Sequence, residues 1–221
     1  MLQNYKEILK KNQKRVLALA EDVLKAYELA YEALKNSDIQ KANKARDMLK
    51  DSHDKNSKID NEIIKTLALF SPEARDLRVV IAYLKIASEL TRITDYIRSF
   101  AKRVKIQISS DLDLGGLKDD VFAFANSAYK SLSASISAIK TDNEDELENL
   151  YRKVNVEESK CDDILSLIEK KLIEQICIVP ENASELISFL NGLRRLERIS
   201  DRSVNIVKLA YFAQKGGKLK L

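Results

Sequence analysis

The sequence is poor in the residues that interrupt helices. Its 221 residues include only 5 Gly and 2 Pro, and aromatic side chains make up 6%. Gly and Pro disfavour the interior of a helix, whereas the abundant Ala, Leu, Lys and Glu favour it. No segment shows the alternation of apolar and polar residues that is typical of a β-strand. The composition therefore predicts an all-α protein with long helices.

Histidine and cysteine are also scarce, which narrows the possible chemistry. A di-iron centre of the ferritin type needs two Glu-x-x-His motifs, and His53 is the single histidine. Next to Asp54 on a polar helix, His53 is either a surface residue or a metal ligand. Cys161 and Cys177 show no CxxC spacing, which favours reduced, structural thiols. Because the sequence has neither a Gly-rich phosphate loop nor a nucleophile–histidine pair, we expect no enzymatic activity.

Long apolar runs are missing as well. The longest one near the middle, VVIAYL at 79–84, is far too short to span a bilayer. The N-terminal stretch MLQNYKEILKKNQKR has no apolar signal core. The formal net charge is +4, but acidic and basic residues are interleaved, which favours a solvated helical surface over a nucleic-acid-binding one. We therefore expect a soluble, cytoplasmic protein that does not bind nucleic acid.

Apolar residues that recur every three or four positions predict six helices. The expected spans are 3–35, 38–70, 72–105, 118–141, 144–178 and 181–214. Polar turns supply the expected caps, with a capping box between Thr141 and Glu144 and an N-cap near Asp38. Breaks are expected at Ser71-Pro72 and Val179-Pro180, and a stop at Gly216-Gly217.

The second half of the sequence repeats the plan of the first. LTRITD at 90–95 returns 106 positions later as LERISD at 196–201. Helices of about 30 residues are on the order of 45 Å long and need partners along their length. Two pseudo-symmetric, antiparallel three-helix bundles provide them with short connections. We expect a first repeat over 1–107, a linker over 108–117 and a second repeat over 118–221.

The later copy of the repeated phrase places oxygen atoms along one helix face. Glu197 and Asp201 lie one turn apart, and Asn205 follows one turn later. Like charges at this spacing repel by roughly 0.2–0.5 kcal/mol on an exposed helix. Glu158 and Asp162 repeat the spacing on the preceding helix, at a comparable distance from the connecting turn. Such a cluster would suit a hard or borderline cation.

The same acids have basic neighbours, which supports a second interpretation. Arg194, Arg198 and Arg202 flank them on the same helix. Glu197 can therefore pair with Arg194, and Asp201 with Arg198, in ordinary surface salt bridges. Spacing alone leaves both the metal site and the salt bridges open.

Three motifs resemble those of one protein family. SPEARDLR at 71–78, LKIASELTRITDYIRSFAKR at 84–103 and LERISDRSVNI at 196–206 are similar to QPxAxDLR, LKIxxDLERIGD and LERIGDHaxNI of the PhoU family. These are the accessory proteins of phosphate-specific transport. The resemblance implies two pseudo-symmetric three-helix bundles that carry metal clusters on ExxxD motifs, and frequent dimerisation.

The resemblance also implies a function. PhoU-like proteins are non-enzymatic negative regulators of the phosphate-starvation response. They are thought to link the ATPase of a phosphate ABC transporter to a sensor histidine kinase, and they would reach the membrane only through these partners. The alternative is a metal-binding helical protein, or a scaffold, in another pathway.

Carried over residue by residue, the resemblance predicts an asymmetric pair of sites. The second repeat would hold a divalent or trivalent ion (Fe, Zn, Mn or Mg) on Glu158, Asp162, Glu197, Asp201 and Asn205. In the first repeat, Thr91 stands where the family has Glu, and Ser99 where it often has Asn. Asp54 and Asp95 remain there as a degenerate first site. We therefore expect an occupied second site and a weakened or absent first one.

Overall fold

A computed structural model describes residues 2–110 and 114–217, with side chains from Tyr5 onward. The helices are α1 (Leu2–Asn36), α2 (Ile39–Met48), α3 (Ser52–Phe70), α4 (Ala74–Ser109), α5 (Lys118–Lys140), α6 (Glu144–Ile178) and α7 (Ala183–Lys215). Short 3-10 turns precede α5 and α7. No strand occurs in the described ranges, and the all-α prediction is confirmed. Residues 111–113 of the predicted linker lie outside the described residues.

The second predicted helix is in fact two helices, α2 and α3. Between them the backbone tightens: the N–H of Leu49 donates to the carbonyl of Arg46 at 3.3 Å, a three-residue instead of a four-residue step. Leu49 is fully buried, so the turn keeps its side chain in the core. Asp51 and Ser52, residue types that favour helix ends over helix interiors, stand at the break. The single span 38–70 was therefore wrong at this point.

The start of α6 differs from the predicted capping box. Asn143 is the N-cap, and its side-chain oxygen accepts hydrogen bonds from the N–H groups of Asp145 and Glu146 at 2.9 and 3.0 Å. The hydroxyl of Thr141 donates to the carboxylate of Glu146 and not to Glu144. The helix starts at Glu144, which leaves Thr141 two residues before the cap.

Other helix ends follow the predicted signals. The carboxylate of Asp38 accepts a hydrogen bond from the N–H of Lys41 at 3.0 Å and caps α2. α7 ends immediately before Gly216, whose φ of 76° lies in the left-handed region, where a side chain would be strained. The helices after Pro72 and Pro180 begin at Ala74 and Ala183, two or three residues later than Pro-initiated helices would.

The helices form two antiparallel three-helix bundles. The first contains α1, α2–α3 and α4, and the second contains α5, α6 and α7. The bundles meet chiefly through α4 and α7, and α1 also packs against α5. Buried side chains of both bundles merge into one core, which includes Tyr27, Phe100, Phe124, Leu132 and Leu196. Within the described residues, no helix has the length and apolarity needed to cross a bilayer.

The contact between α4 and α7 is close and antiparallel. Near one end, Nη1 of Arg103 donates to the hydroxyl of Ser188 at 2.7 Å. Further along, Nη1 of Arg202 lies 3.2 Å from the carboxylate of Glu89, which is almost fully buried. A Cβ added at Gly192 would lie 2.9 Å from Cβ of Arg103. The absence of a side chain at Gly192 therefore allows the two helices to approach at this point.

Candidate metal centre

The groove between α6 and α7 positions the predicted carboxylates. On α6, Glu157 and Cys161 are buried, and the next residue in each case is an acid, Glu158 or Asp162. On α7 the buried Leu196 and Ser200 are likewise followed by Glu197 and Asp201. An acid one position past a buried residue lies at the rim of the packed stripe. The antiparallel packing of α6 and α7 therefore lines the groove with acids from both sides.

Three of these carboxylates converge. One oxygen atom each from Glu158, Asp162 and Asp201 lies within 4.8 Å of the other two. Oxygens bound to a single ion at 2.0–2.6 Å can be at most about 4–5 Å apart. The group is therefore compact enough to share one cation, and its side chains are accessible to solvent.

The electrostatics of the cluster are unfavourable without a cation. Partial burial, followed by the charges of Asp162 and Asp201, raises the pKa of Glu158. Burial and then Asp162 raise the pKa of Asp201, although Arg202 and Arg198 act in the opposite direction. Each raised pKa means that the ionised carboxylate is disfavoured where it stands. A bound cation would relieve this repulsion.

Glu197 and Asn205 lie beside the three converging acids. Burial, followed by the charges of Asp201 and Asp162, raises the pKa of Glu197. Its carboxylate is therefore close enough to the cluster to be repelled by it. It is not part of the group within 4.8 Å. Asn205 lines a surface depression together with Asp201, one turn further along α7. The structure thus brings three of the five predicted ligands together and leaves Glu197 and Asn205 beside them.

The predicted salt bridges do not form in the part of the chain that the structure describes. Nε and Nη2 of Arg194 both donate to one oxygen of Glu169, at 3.1 and 3.0 Å. Arg202 pairs with Glu89 across the bundle interface. Arg194 and Arg202 are therefore engaged elsewhere. Among the described residues no basic nitrogen lies within 4.0 Å of a carboxylate oxygen of Glu197 or Asp201, and Arg198 acts on both acids only at longer range.

Both cysteines are free. Burial is the main reason why the pKa of Cys161 is raised, to about 12. The thiol beneath the acidic groove therefore stays protonated, and the candidate donor set consists of oxygen atoms alone.

The corresponding face of the first bundle is organised differently. Nε2 of His53 lies 3.1 Å from Oδ1 of Asp95, a contact that joins α3 to α4. The hydroxyl of the buried Thr91 donates to the carbonyl of Ala87 at 2.8 Å. It is therefore bonded to the backbone of its own helix. Asp54 is exposed. Among the described residues, no group of three metal-ligating side chains forms on this face.

The register of the repeat explains the difference. The offset of 106 between α4 and α7 sets Thr91 at the position of Glu197. On α3 the buried Ser52 matches the buried Glu157 of α6, and the N-cap Asp38 matches Asn143, an offset of 105 that sets His53 and Ser57 at the positions of Glu158 and Asp162. Only Asp95 keeps its acid. The contact between His53 and Asp95 was not predicted, although the antiparallel register of α3 and α4 about Ser71-Pro72 could have indicated it.

Comparison with known proteins identifies the family. The sequence profile described as the PhoU domain matches the chain twice, over residues 16–104 and 123–210. The chain belongs to the PhoU family. A PhoU homologue from Methanothermobacter thermautotrophicus is 24% identical over 208 residues, which are 94% of this chain and 93% of the homologue. One from Borreliella burgdorferi is 30% identical over 166 residues, 71% of this chain and 70% of the homologue. Both are named as phosphate-specific transport system accessory proteins.

Solved PhoU structures share the fold. PhoU from Pseudomonas aeruginosa superimposes with a TM-score of 0.88 at 23% identity, covering 96% of this chain and all of that one. A phosphate transport system regulatory protein PhoU from Streptococcus pneumoniae gives a TM-score of 0.83 at 20% identity, with 98% of this chain covered and all of that one. The predicted architecture of two pseudo-symmetric helical bundles is therefore confirmed.

Proposed function

We propose that this PhoU-family protein is a cytoplasmic, non-catalytic negative regulator of phosphate uptake and of phosphate-starvation signalling. The observation that carries the proposal is the match of both halves of the chain to the PhoU domain. The homologue from Methanothermobacter thermautotrophicus, which the match covers over 93% of its length, is named an accessory protein of phosphate-specific transport. The Streptococcus pneumoniae structure, which is covered in full, is named a phosphate transport system regulatory protein. A role through binding fits a molecule built from two helical bundles with an open acidic groove.

In this proposal the protein is an adaptor. It contacts the ATPase of a phosphate ABC transporter and a sensor histidine kinase, forms a homodimer, and meets the membrane only through these partners. The test is co-purification of the protein with each isolated partner, combined with a phosphate-responsive reporter in a deletion strain. We expect binding to both partners and a reporter that stays active at high phosphate. Binding to neither partner, with unchanged reporter activity, would contradict the regulatory role.

A metal site in the groove between α6 and α7 forms the second part of the proposal. Glu158, Asp162 and Asp201 would hold one ion, and Glu197 and Asn205 would complete its shell. The donors fit such an ion because one oxygen atom from each acid lies within 4.8 Å of the other two. A set made only of oxygen atoms favours Mg, Mn or Fe over Zn. The ion would neutralise the groove and hold the two helices in register.

Elemental analysis of the purified protein tests this site separately from the regulatory role. We expect bound metal to fall sharply in the double variant Glu158→Ala/Asp201→Ala. The matched control is Asp95→Ala, at the position that corresponds to Asp201 in the first bundle, and it should retain the metal. An equal loss in both variants would contradict a single site on the second bundle.

A further inference from the structure

Basic side chains line the groove between α2 and α4 in the first bundle. Arg46 of α2 and Lys102 and Lys105 of α4 surround one surface depression, with Ile106 at its side. Ile106 is 41% exposed, one of several large apolar side chains that the described surface leaves accessible. Polar and charged residues around an apolar contact form the rim of protein interfaces, and arginine is enriched there.

The helix register extends this surface by two more cations. Nζ of Lys105 lies 3.4 Å from Oδ1 of Asn43, and further along His53 contacts Asp95. Between these two cross-helix contacts, the same antiparallel register sets Lys50 across from Arg98. Five residues therefore form what we call the basic face: Arg46, Lys50, Arg98, Lys102 and Lys105.

The basic face lacks internal compensation. Within residues 2–110 and 114–217, none of its five cations has a carboxylate oxygen within 4.0 Å. Lys105 has only the neutral amide of Asn43, and Nε of Arg98 is buried without a hydrogen-bond partner. Other cations that reach a neighbouring helix, such as Arg15 and Lys55, are paired with an acid. The face therefore presents donors that an external anion can satisfy.

The second bundle shows that this face is not a by-product of the shared helix packing. At the offset of 105 that matches α2 with α6, and of 106 that matches α4 with α7, the corresponding residues are Tyr151, Asn155, Val204, Lys208 and Tyr211. Only Lys208 is cationic. The excess of cations thus belongs to the first bundle, which is also the half that has lost its carboxylate cluster. The two repeats have diverged toward opposite charge.

We propose that the basic face is a docking surface for an acidic segment of a partner protein. A lipid surface fits less well, because membrane-binding faces insert several large apolar residues and this depression offers Ile106. A nucleic acid fits less well because the exposed Asp47 and Asp51 stand next to Arg46 and Lys50 and would interrupt contact with a continuous phosphate backbone, whereas a short segment needs to contact only the cations. A short acidic segment with one apolar residue would follow the cations and cover Ile106. This inference does not depend on the metal site or on the regulatory role.

Binding to a labelled peptide tests the proposal. The probe is a twelve-residue peptide with six Asp or Glu residues and one Leu, compared with a neutral peptide in which Asn and Gln replace the acids. Fluorescence anisotropy measures the affinity of the full chain at low and at physiological salt. We expect the triple variant Arg46→Ala/Lys102→Ala/Lys105→Ala to bind the acidic peptide at least tenfold more weakly. Wild type should bind the neutral peptide at least tenfold more weakly than the acidic one.

A matched control removes the same charge elsewhere. Lys11, Lys14 and Lys25 are exposed on α1, and their triple replacement by Ala should change affinity less than twofold. The single variant Lys102→Glu, at an exposed position, guards against misfolding of the triple variant, and it should also weaken binding at least tenfold. Equal weakening by both triple variants would overturn the proposal, because binding would then follow net charge.

Two further outcomes would replace the proposed partner. If phosphatidylserine vesicles bind through the three cations while the acidic peptide does not, the ligand is a lipid surface. Asp111 and Asp113 follow α4 in the sequence, outside the described residues. If Asp111→Asn/Asp113→Asn raises the affinity for the peptide more than tenfold, the chain itself occupies the basic face, and an external partner is contradicted.

Discussion

Replacement of Asp201 by Asn is expected to stabilise the metal-free protein. Oxygens of Asp201, Asp162 and Glu158 lie within 4.8 Å of one another. Two unit charges at that distance repel by about 0.9 kcal/mol in water and by about 3.5 kcal/mol at an effective dielectric constant of 20. The acids are accessible to solvent, and Arg198 and Arg202 offset part of the repulsion. We therefore expect a gain near the lower value, about 1 kcal/mol, in the free energy of unfolding.

Bound metal should make wild type more stable than Asp201→Asn. A cation at a hundredfold excess over its Kd stabilises a folded protein by about 2.7 kcal/mol. Wild type should gain this amount on addition of Mn²⁺, whereas Asp201→Asn, which has lost one charged ligand, should gain much less. The variant would then be more stable than wild type in chelator and less stable in metal. For a chain of this size, the gain in chelator corresponds to a rise in Tm of roughly 2–4 °C.

Urea unfolding followed by circular dichroism, in chelator and in Mn²⁺, measures both effects. Asp95→Asn serves as the control and should change neither value by more than about 0.5 kcal/mol, because its contact with His53 is exposed. A variant that is less stable than wild type in chelator would refute the repulsion argument. Equal stabilisation of both proteins by metal would show that the ion binds elsewhere.

Three further predictions concern the fold and can be checked by urea unfolding. Glu89→Ala should cost about 2–3 kcal/mol because Arg202 loses its buried partner, whereas replacing both residues by Met should cost less than the single change. Gly192→Leu should cost at least about 1–3 kcal/mol through the clash between α4 and α7, whereas the same change at Gly116, where a Cβ meets nothing within 4 Å, should be near neutral. Hydrogen bonds from two basic neighbours lower the pKa of Glu62 to about 2. Its contribution to stability is therefore present above about pH 4.5 and lost as the pH falls toward 2, and Glu62→Gln should flatten the loss of stability in that window.

Much of the fold could be predicted because the signals are local. Apolar periodicity gave the helices, Asp38 marked one N-terminus, and Gly216 marked one C-terminus. The break at Leu49 was missed since its cause is tertiary: a buried leucine keeps its place in the core while the backbone tightens beside it. The cap at Asn143 was missed because several polar residues compete at that turn, and only the backbone geometry decides among them.

The candidate site was predictable in part for the same reason. The i, i+4 spacing of Glu158 and Asp162, and of Glu197 and Asp201, shows which acids share a helix face. Spacing could not show which of the four converge, because that depends on the rotation of α6 against α7. Nor could it show that Arg194 pairs with Glu169 of α6, which removes the pair predicted between Glu197 and Arg194.

Because α4 and α7 pack against each other, each bundle covers an apolar face of the other. The close approach at Gly192 and the ion pair between Glu89 and Arg202 leave no boundary at which the halves could be separated without exposing apolar surface. A single repeat standing alone could cover that surface only with a second copy of itself. The molecule thus has the geometry of a symmetric two-subunit complex held in one polypeptide. Covalent fusion frees the halves from the identity that such a complex imposes, so the second bundle can carry an acidic cluster that the first lacks, and the first a basic face that the second lacks.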